Sequence, residues 1–256
     1  MRLRRARSAR WQGHRERNRC FLVRLRMPYG NHGTTLHAMS HIENHVVWTI
    51  VVAAGSGTRF GGAKQFAQLG AGTVVEWAVH EVGKWSDGVV VVVPPGSVLS
   101  DGQVEGGSTR SESVRNGLKA VPTGATIVCV HDAARPFVTD TVFSRVVNAV
   151  VNGADGAVPG IEVADTVKVI DANGQVVSTP DRATLRAVQT PQAFRAAMLR
   201  QAHDHDLQGT DDAAIVESLG GKVVVVQGDP LLRKITSRDD LDWARMTAHK
   251  MTEGEV

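Results

Sequence analysis

The stretch "VVAAGSGTRFGGAKQF" (51–66) combines glycines with two cations, Arg59 and Lys64, in the manner of a phosphate-binding loop. It matches neither of the two best-known loops. A dinucleotide fingerprint reads G-x-G-x-x-G, whereas Gly55, Gly57 and Gly61 give G-x-G-x-x-x-G. A Walker loop reads G-K-[ST] at its end, whereas Ala63 separates Gly62 from Lys64 and Gln65 stands where the hydroxyl belongs. Small residues let the backbone approach a ligand closely, and consecutive N–H groups there cradle phosphate oxygens. Two added cations suit a triphosphate chain better than the pyrophosphate of a dinucleotide. The competing reading is a plain glycine turn with two solvated charges.

A second candidate is "IVCVHDAARPFV" (127–138), where an apolar strand runs straight into His131 and Asp132. Ligands of open α/β sheets bind at the carboxyl ends of strands, so Asp132 falls at the same edge as the loop. A carboxylate facing a phosphate chain calls for a divalent cation, most simply Mg²⁺, and Arg135 offers a site for a second anion. Alone, Asp132 would read as a helix cap; its coincidence with the loop favours metal association. "EGGSTRSESVRNGL" (105–118) is a glycine turn opening a helix, suited to an anion or to close approach of a sugar or base. Its plain alternative is an N-cap by Ser111 or Ser113. His203 and His205 in "AHDHD" lack a third ligand and read as a solvated helix end.

These residues need a scaffold, and the chain alternates buried strands with helices. "HVVWTIVVAA" (45–54), "GVVVVVP" (88–94), "TIVCV" (126–130), "GAVPGI" (156–161) and "KVVVVQG" (222–228) read as strands. Their near-continuous apolar character is that of a parallel sheet covered on both faces. Helical spacing occupies 74–85, 111–121, 140–152, 191–206, 210–220 and the chain from about 238. The alternation predicts an α/β fold. It breaks at "ADTVKVIDANGQVVSTPD", a hairpin with Asn173-Gly174 at the bend, which projects from the sheet as an arm of the kind that serves a partner chain.

The whole chain carries a formal charge of +3, but residues 1–45 hold ten arginines and two glutamates, a net +8, leaving −5 for the rest. The basic character therefore belongs to the first 45 residues, which show no apolar periodicity. They read as a disordered or over-translated extension, with Met39 near a plausible start; a basic arm for nucleic acid or a membrane surface is the alternative. No apolar run approaches the roughly 20 residues of a membrane span. Two cysteines far apart, Cys20 and Cys129, match no metal or redox spacing and point to a reducing cytoplasm. Cys129 reads as a core residue.

"AAGSGTRFGGAKQF", "GGSTRSESV", "HDAARPFV", "ADTVKVI", "DRATLRAVQTPQAF" and "LLRKITSRDDL" occur in the order found in the 2-C-methyl-D-erythritol 4-phosphate cytidylyltransferases of the nonmevalonate isoprenoid pathway. The chain resembles that family over about residues 46–250. The resemblance implies a Rossmann-like α/β domain over 46–256 of the nucleotide-diphospho-sugar transferase type, with a mainly parallel sheet flanked by helices. It also implies a projecting hairpin arm at about 161–185, exchanged between subunits of a homodimer. It implies transfer of the cytidylyl group of CTP to 2-C-methyl-D-erythritol 4-phosphate with Mg²⁺. Carried over, Arg59, Lys64, Arg182 and Lys234 are the catalytic cations. Ala53, Ala54, Gly55, Gly57, Gly107 and Ser113 surround the nucleotide. Asp132, Arg135, Thr166, Arg182, Thr190 and Lys234 serve the acceptor, with Asp132 also the metal-associated acid. Two departures stand out: Ala63 where the family commonly has proline, after a shortened "FGG", and Ser108 where an acid or amide is usual.

The chemistry read from the residues agrees, because an anionic phosphate nucleophile needs no strong base and catalysis rests on positioning and charge. The alternatives are a cytidylyltransferase for another polyol phosphate such as ribitol 5-phosphate, a non-catalytic nucleotide-binding regulator, and a nucleic-acid module built on the basic segment. Removing residues 1–45 is expected to leave melting temperature and turnover nearly unchanged, checked by thermal unfolding and steady-state kinetics; a large fall in either would show that the basic segment packs on the body or gates the site.

Overall fold

The first strand forms where six residues, "VWTIVV", bury side chains towards both faces, as a strand lying between two helix layers must. This computed structural model describes residues 44–204 and 209–254. In chain order the elements are β1 (Val47–Val52), β2 (Gln68–Leu69), β3 (Gly72–Thr73), α1 (Val74–Gly83), β4 (Gly88–Val93), β5 (Gln103–Glu105), α2 (Arg110–Ala120), β6 (Ile127–Asp132), α3 (Asp140–Val151) and β7 (Gly156–Glu162). There follow β8 (Val169–Ile170), β9 (Val176–Ser178), β10 (Arg186–Val188), β11 (Gln192–Arg195), α4 (Ala196–Asp204), α5 (Asp212–Ser218), β12 (Val223–Gln227) and α6 (Arg238–Glu253).

The main sheet runs β10-β7-β11-β6-β1-β4-β5, with β12 also paired to β7. The strands β5, β4, β1 and β6 are mutually parallel. β10 and β11 are antiparallel to β7 and share one of its edges, while β12 runs parallel along the other. Side chains alternate between two helix layers. Val51, Val91 and Cys129 meet α1 and α3, whereas Ile50, Val92, Val128 and Val130 meet α2, α4 and α5. A third cluster joins Phe60 and Trp77 to Phe137 and to Leu241 and Ala244 of α6. The core role expected of Cys129 holds, and Cys20 lies outside the described residues.

Two expectations change. Residues 191–206 are not one helix: Gln192–Arg195 form β11, antiparallel between β6 and β7, and α4 begins only at Ala196. The facing edges of β6 and β7 leave backbone groups that need partners, and burial of Gln192, Ala193 and Phe194 there outweighs the helical spacing. The helix α2 is capped by Thr109, whose hydroxyl accepts from Glu112 N–H, and not by Ser111 or Ser113. The hairpin is present as β8 and β9, with Gly174 at φ +80 in the bend. Asp171 Oδ1 accepts from the N–H groups of Asn173 and Gln175, both at 2.9 Å, and so holds the tip.

Helix α2 can lie on the sheet only because Gly117 faces it. A Cβ there would stand 2.6 Å from Ile50 Cγ2 and 3.1 Å from Val92 Cγ2. Helix propensity alone makes Gly117→Ala stabilising by about 1 kcal/mol, while overpacking a buried contact costs about 1–3 kcal/mol. Both neighbours are β-branched and buried, so the clash wins. Urea unfolding of Gly117→Ala is expected to show a net loss of stability of about 1 kcal/mol; a rise in midpoint would mean that the helix shifts freely.

Candidate active site

The carboxyl ends of β1, β5 and β6 open into one cavity of about 460 Å³. Its lining includes Ala53, Ala54, Gly55, Gly57 and Lys64 from the first loop, Gly107 and Ser113 from the second, and Asp132 and Lys234. Nine of the residues singled out from the sequence thus converge on it. The backbone of Arg59 lies in the short 3-10 turn Thr58–Phe60, and its side chain is outside the described residues.

The loop is held open by its own chain. Gly57 at φ +66 carries no side chain because a Cβ would run into the carbonyl oxygen of Gly62. Its own carbonyl accepts from Phe60, Gly61 and Gly62, which turns the loop back on itself. Ala63, at φ −71, takes the value that a proline would impose, so the departure from the family pattern leaves this turn in a proline-like conformation. Gln65, buried, donates through Nε2 to the carbonyls of Ala53 (2.8 Å) and Gly55 (3.0 Å). Among the described residues, the N–H groups of Ala54, Gly55, Ser56, Gly57 and Thr58 have no acceptor. Such a row of donors is an anion cradle.

In the second loop, Ser113 Oγ accepts from Gly107 N–H at 3.1 Å and donates to Thr109 O at 2.9 Å. The other departure, Ser108, donates from N–H and Oγ to Glu112 Oε2, and these bonds lower the Glu112 carboxyl below its usual value. Ser108 therefore serves the helix cap while lining the cavity.

At the centre, Asp132 Oδ2 meets Lys234 Nζ at 2.6 Å and Oδ1 meets Arg110 Nε at 3.5 Å. Burial alone would raise the Asp132 carboxyl, but the charges of Arg110 and Lys234 outweigh it and hold the group well below the usual carboxylate range. Lys234 is fixed from both sides: Leu232 and Ile235 are fully buried, and Ile235 N–H donates to Ala134 O at 2.8 Å. Behind Asp132, its N–H donates to Thr190 Oγ1 (3.0 Å), which is 3.1 Å from His131 Nδ1, while His131 Nε2 is 3.0 Å from Arg135 O. A carbonyl can only accept, so Nε2 carries the ring proton and Thr190 donates to Nδ1.

Thr190 is therefore buried support for Asp132, and Arg135 is a brace, donating Nη1 to Leu232 O and Nη2 to Val188 O. Neither lines the cavity of this chain, nor do Thr166 and Arg182, which are exposed on the arm and beyond it; Arg182 Nη1 donates to Ala164 O at 2.7 Å. The histidine reading is corrected: His203 is buried, with Nε2 3.0 Å from Asp212 Oδ1, and His205 lies outside the described residues. Among the described residues no group of three His, Cys, Asp or Glu is placed to hold a metal. Sequence reasoning assigned no part to Gln65 or Arg110. Gln65 was visible only as a misfit to the Walker pattern. Arg110 carried no signal, since its partner Asp212 is 102 residues away.

The chain matches the family model described as 2-C-methyl-D-erythritol 4-phosphate cytidylyltransferase (IspD) over residues 47–250. It is 42% identical over 211 residues to the 2-C-methyl-D-erythritol 4-phosphate cytidylyltransferase of Nocardia farcinica, covering 76% of this chain and 90% of that one. It is 39% identical over 222 residues to a bifunctional IspD/IspF enzyme of Solidesulfovibrio magneticus, 76% of this chain but only 55% of that enzyme. The crystal structure of the Thermus thermophilus 2-C-methyl-D-erythritol 4-phosphate cytidylyltransferase is similar with a TM-score of 0.67 at 34% identity, over 78% of this chain and 98% of that one.

Burial pushes His131 down to about 4, against an ordinary value near 6.5. Between those values the unfolded chain binds a proton that the folded one refuses, so stability rises with pH across that window and is lost as pH falls through it. The lowered carboxyls of Asp132 and Asp212 add their loss only below about 4. Thermal unfolding in a chelator is expected to show a melting temperature falling from pH 6.5 to 4, with a flatter profile in His131→Asn. An equally steep profile in that variant would remove His131 as the cause.

Proposed function

As the chain belongs to the 2-C-methyl-D-erythritol 4-phosphate cytidylyltransferase family, we propose that the cavity at the carboxyl ends of β1, β5 and β6 is where its substrates meet. The reaction transfers the cytidylyl group of CTP to 2-C-methyl-D-erythritol 4-phosphate, giving 4-diphosphocytidyl-2-C-methyl-D-erythritol and pyrophosphate in isoprenoid precursor biosynthesis. The observation that carries the proposal is the convergence of the donor-rich loop, Lys64, Asp132 and Lys234 on one cavity.

In this reading the triphosphate lies on the N–H groups of residues 54–58, and Ala53, Ala54, Gly55, Gly57, Gly107 and Ser113 enclose the nucleotide. An oxygen of the acceptor phosphate bonds to the α-phosphorus while the bond to the β-phosphate oxygen breaks, and pyrophosphate carries off the electron pair. The nucleophile is already an anion, so no proton need be removed. Arg59 and Lys64 oppose the charge that builds on the α-phosphate, which is binding of the transition state in preference to the ground state. Lys234 orients the acceptor phosphate, helped by Arg135 and Thr190 behind it.

Mg²⁺ fits this donor set. Asp132 is ionised and keeps lone pairs beyond those used by Lys234 and Arg110, and magnesium commonly takes one or two carboxylates with the remaining oxygens from phosphates and water. Asp132 and the triphosphate would hold it, and it would neutralise phosphate charge.

The same proposal includes a cytoplasmic homodimer. Thr166 and Arg182 stand outside the cavity of their own chain, and Val169, Ile170, Val176 and Val177 leave an exposed apolar patch on the hairpin. A two-stranded hairpin is marginal alone, and a second copy would cover it and bring Arg182 and Thr166 to the partner's acceptor site.

The test is pyrophosphate release from CTP and Mg²⁺ with 2-C-methyl-D-erythritol 4-phosphate, with ribitol 5-phosphate as the control acceptor; no release with the former sinks the reading. Lys64→Ala and Arg59→Ala are expected to cut turnover by about 100-fold or more while weakening CTP binding much less. Mixing inactive Lys64→Ala subunits with inactive Arg182→Ala subunits is expected to restore activity, since each mixed dimer then holds one intact site. A dead mixture with subunit exchange verified would place Arg182 in its own chain's site.

A further inference from the structure

A run of alternating charges leads from the cavity into the helix layer behind it. Lys234 meets Asp132 and Asp132 meets Arg110, whose Nη1 lies 2.7 Å from Asp212 Oδ2. Asp212 is fully buried at the first position of α5, and its other oxygen meets His203 of α4 at 3.0 Å. Separate segments of the chain are thus joined by one set of charge contacts.

Stability alone does not account for this arrangement. Arg110 is the first residue of α2, where the helix dipole disfavours a cation. A buried ion pair is commonly no more stabilising than apolar residues of similar volume, and apolar side chains of α4 and α5 already form the surrounding core. Burial pulls the Arg110 guanidinium down, yet Asp212 and Asp132 outweigh that and raise it, so the cation is permanent. The tight contact is the one to Asp212, and the contact to Asp132 is the long one. The helix-layer carboxylate therefore fixes the guanidinium, and the guanidinium reaches into the cavity.

We propose that Arg110 is a positioning residue for nucleotidyl transfer: Asp212 and His203 anchor its guanidinium so that Nε restrains Asp132 Oδ1, and Asp132 keeps its orientation when phosphates draw Lys234 away. The inference rests on the transfer proposed above. Two carboxylates must be served by one fork, which a guanidinium does and an ammonium does not. Asp212 and His203 do not line the cavity, whereas Arg110 does, so they act through Arg110.

The test uses the full chain with CTP, 2-C-methyl-D-erythritol 4-phosphate and Mg²⁺. Arg110→Gln and Asp212→Asn are each expected to lower kcat by about 10-fold or more, with KM for CTP and calorimetric CTP affinity within about 3-fold. The double variant is expected to lose no more than either single one, since Asp212 acts through Arg110. Arg110→Lys, which keeps the charge and folds if Asp212→Asn does not, is expected to recover little of kcat. Losses that multiply in the double variant, or full recovery by lysine, would overturn the relay. CTP affinity falling more than about 10-fold with kcat intact would make Arg110 a ligand contact instead. A wild-type protein that releases no pyrophosphate sinks the transfer and the relay together, whereas an active wild type with an unimpaired Arg110→Gln sinks the relay alone.

Discussion

A buried carboxylate kept ionised is the constraint around which the site is arranged. Asp132 ends the most completely buried strand of the sheet, where an unpaired charge would be driven to its neutral form. Lys234 and Arg110 prevent that, and each must be delivered from elsewhere in the chain to do so. Lys234 arrives on a segment pinned by Leu232, Ile235 and the bond from Ile235 N–H to Ala134 O. Arg110 arrives on the first turn of α2, which packs on the sheet through Gly117. Even the insertion of β11 bears on Asp132, because the turn into that strand brings Thr190 to accept its N–H.

Positive charge and free donors are therefore concentrated along one edge. Among the described residues the first loop contributes N–H donors without acceptors, and Gln65 holds its shape by bonding two of its carbonyls. Such a surface attracts polyanions and costs little to reorganise when they bind, because the dipoles are fixed before the ligand arrives. The body of the chain is net negative, so this edge is a local field set against the overall charge.

Legibility from the sequence followed the range of each interaction. The loop, the place of Lys64 and Asp132, and the parallel strands were readable because each depends on neighbours within a few residues: glycine for positive φ, apolar runs for two-sided burial, a strand end for the edge that bears the cavity. The hairpin was readable from Asn173-Gly174 for the same reason. Residues 192–195 were misread because their local spacing is helical while the open edges of β6 and β7 decide their conformation. His203 was misread because nothing beside it announces Asp212.

What the sequence determined by itself was the α/β class, the strand-end edge that bears the cavity and the family resemblance, all carried by residue types at fixed short spacings. The tertiary structure alone decided which charges meet. Arg110 and Asp212, and Asp132 and Lys234, are each 102 residues apart. Arg135, readable as an anion site, is turned by the fold into a brace for Leu232 and Val188. Pairings of this kind depend on the packing of strands and helices that share no local pattern, and the attraction that offsets burial of a charge is strongest at contact. Only the folded chain brings such groups that close.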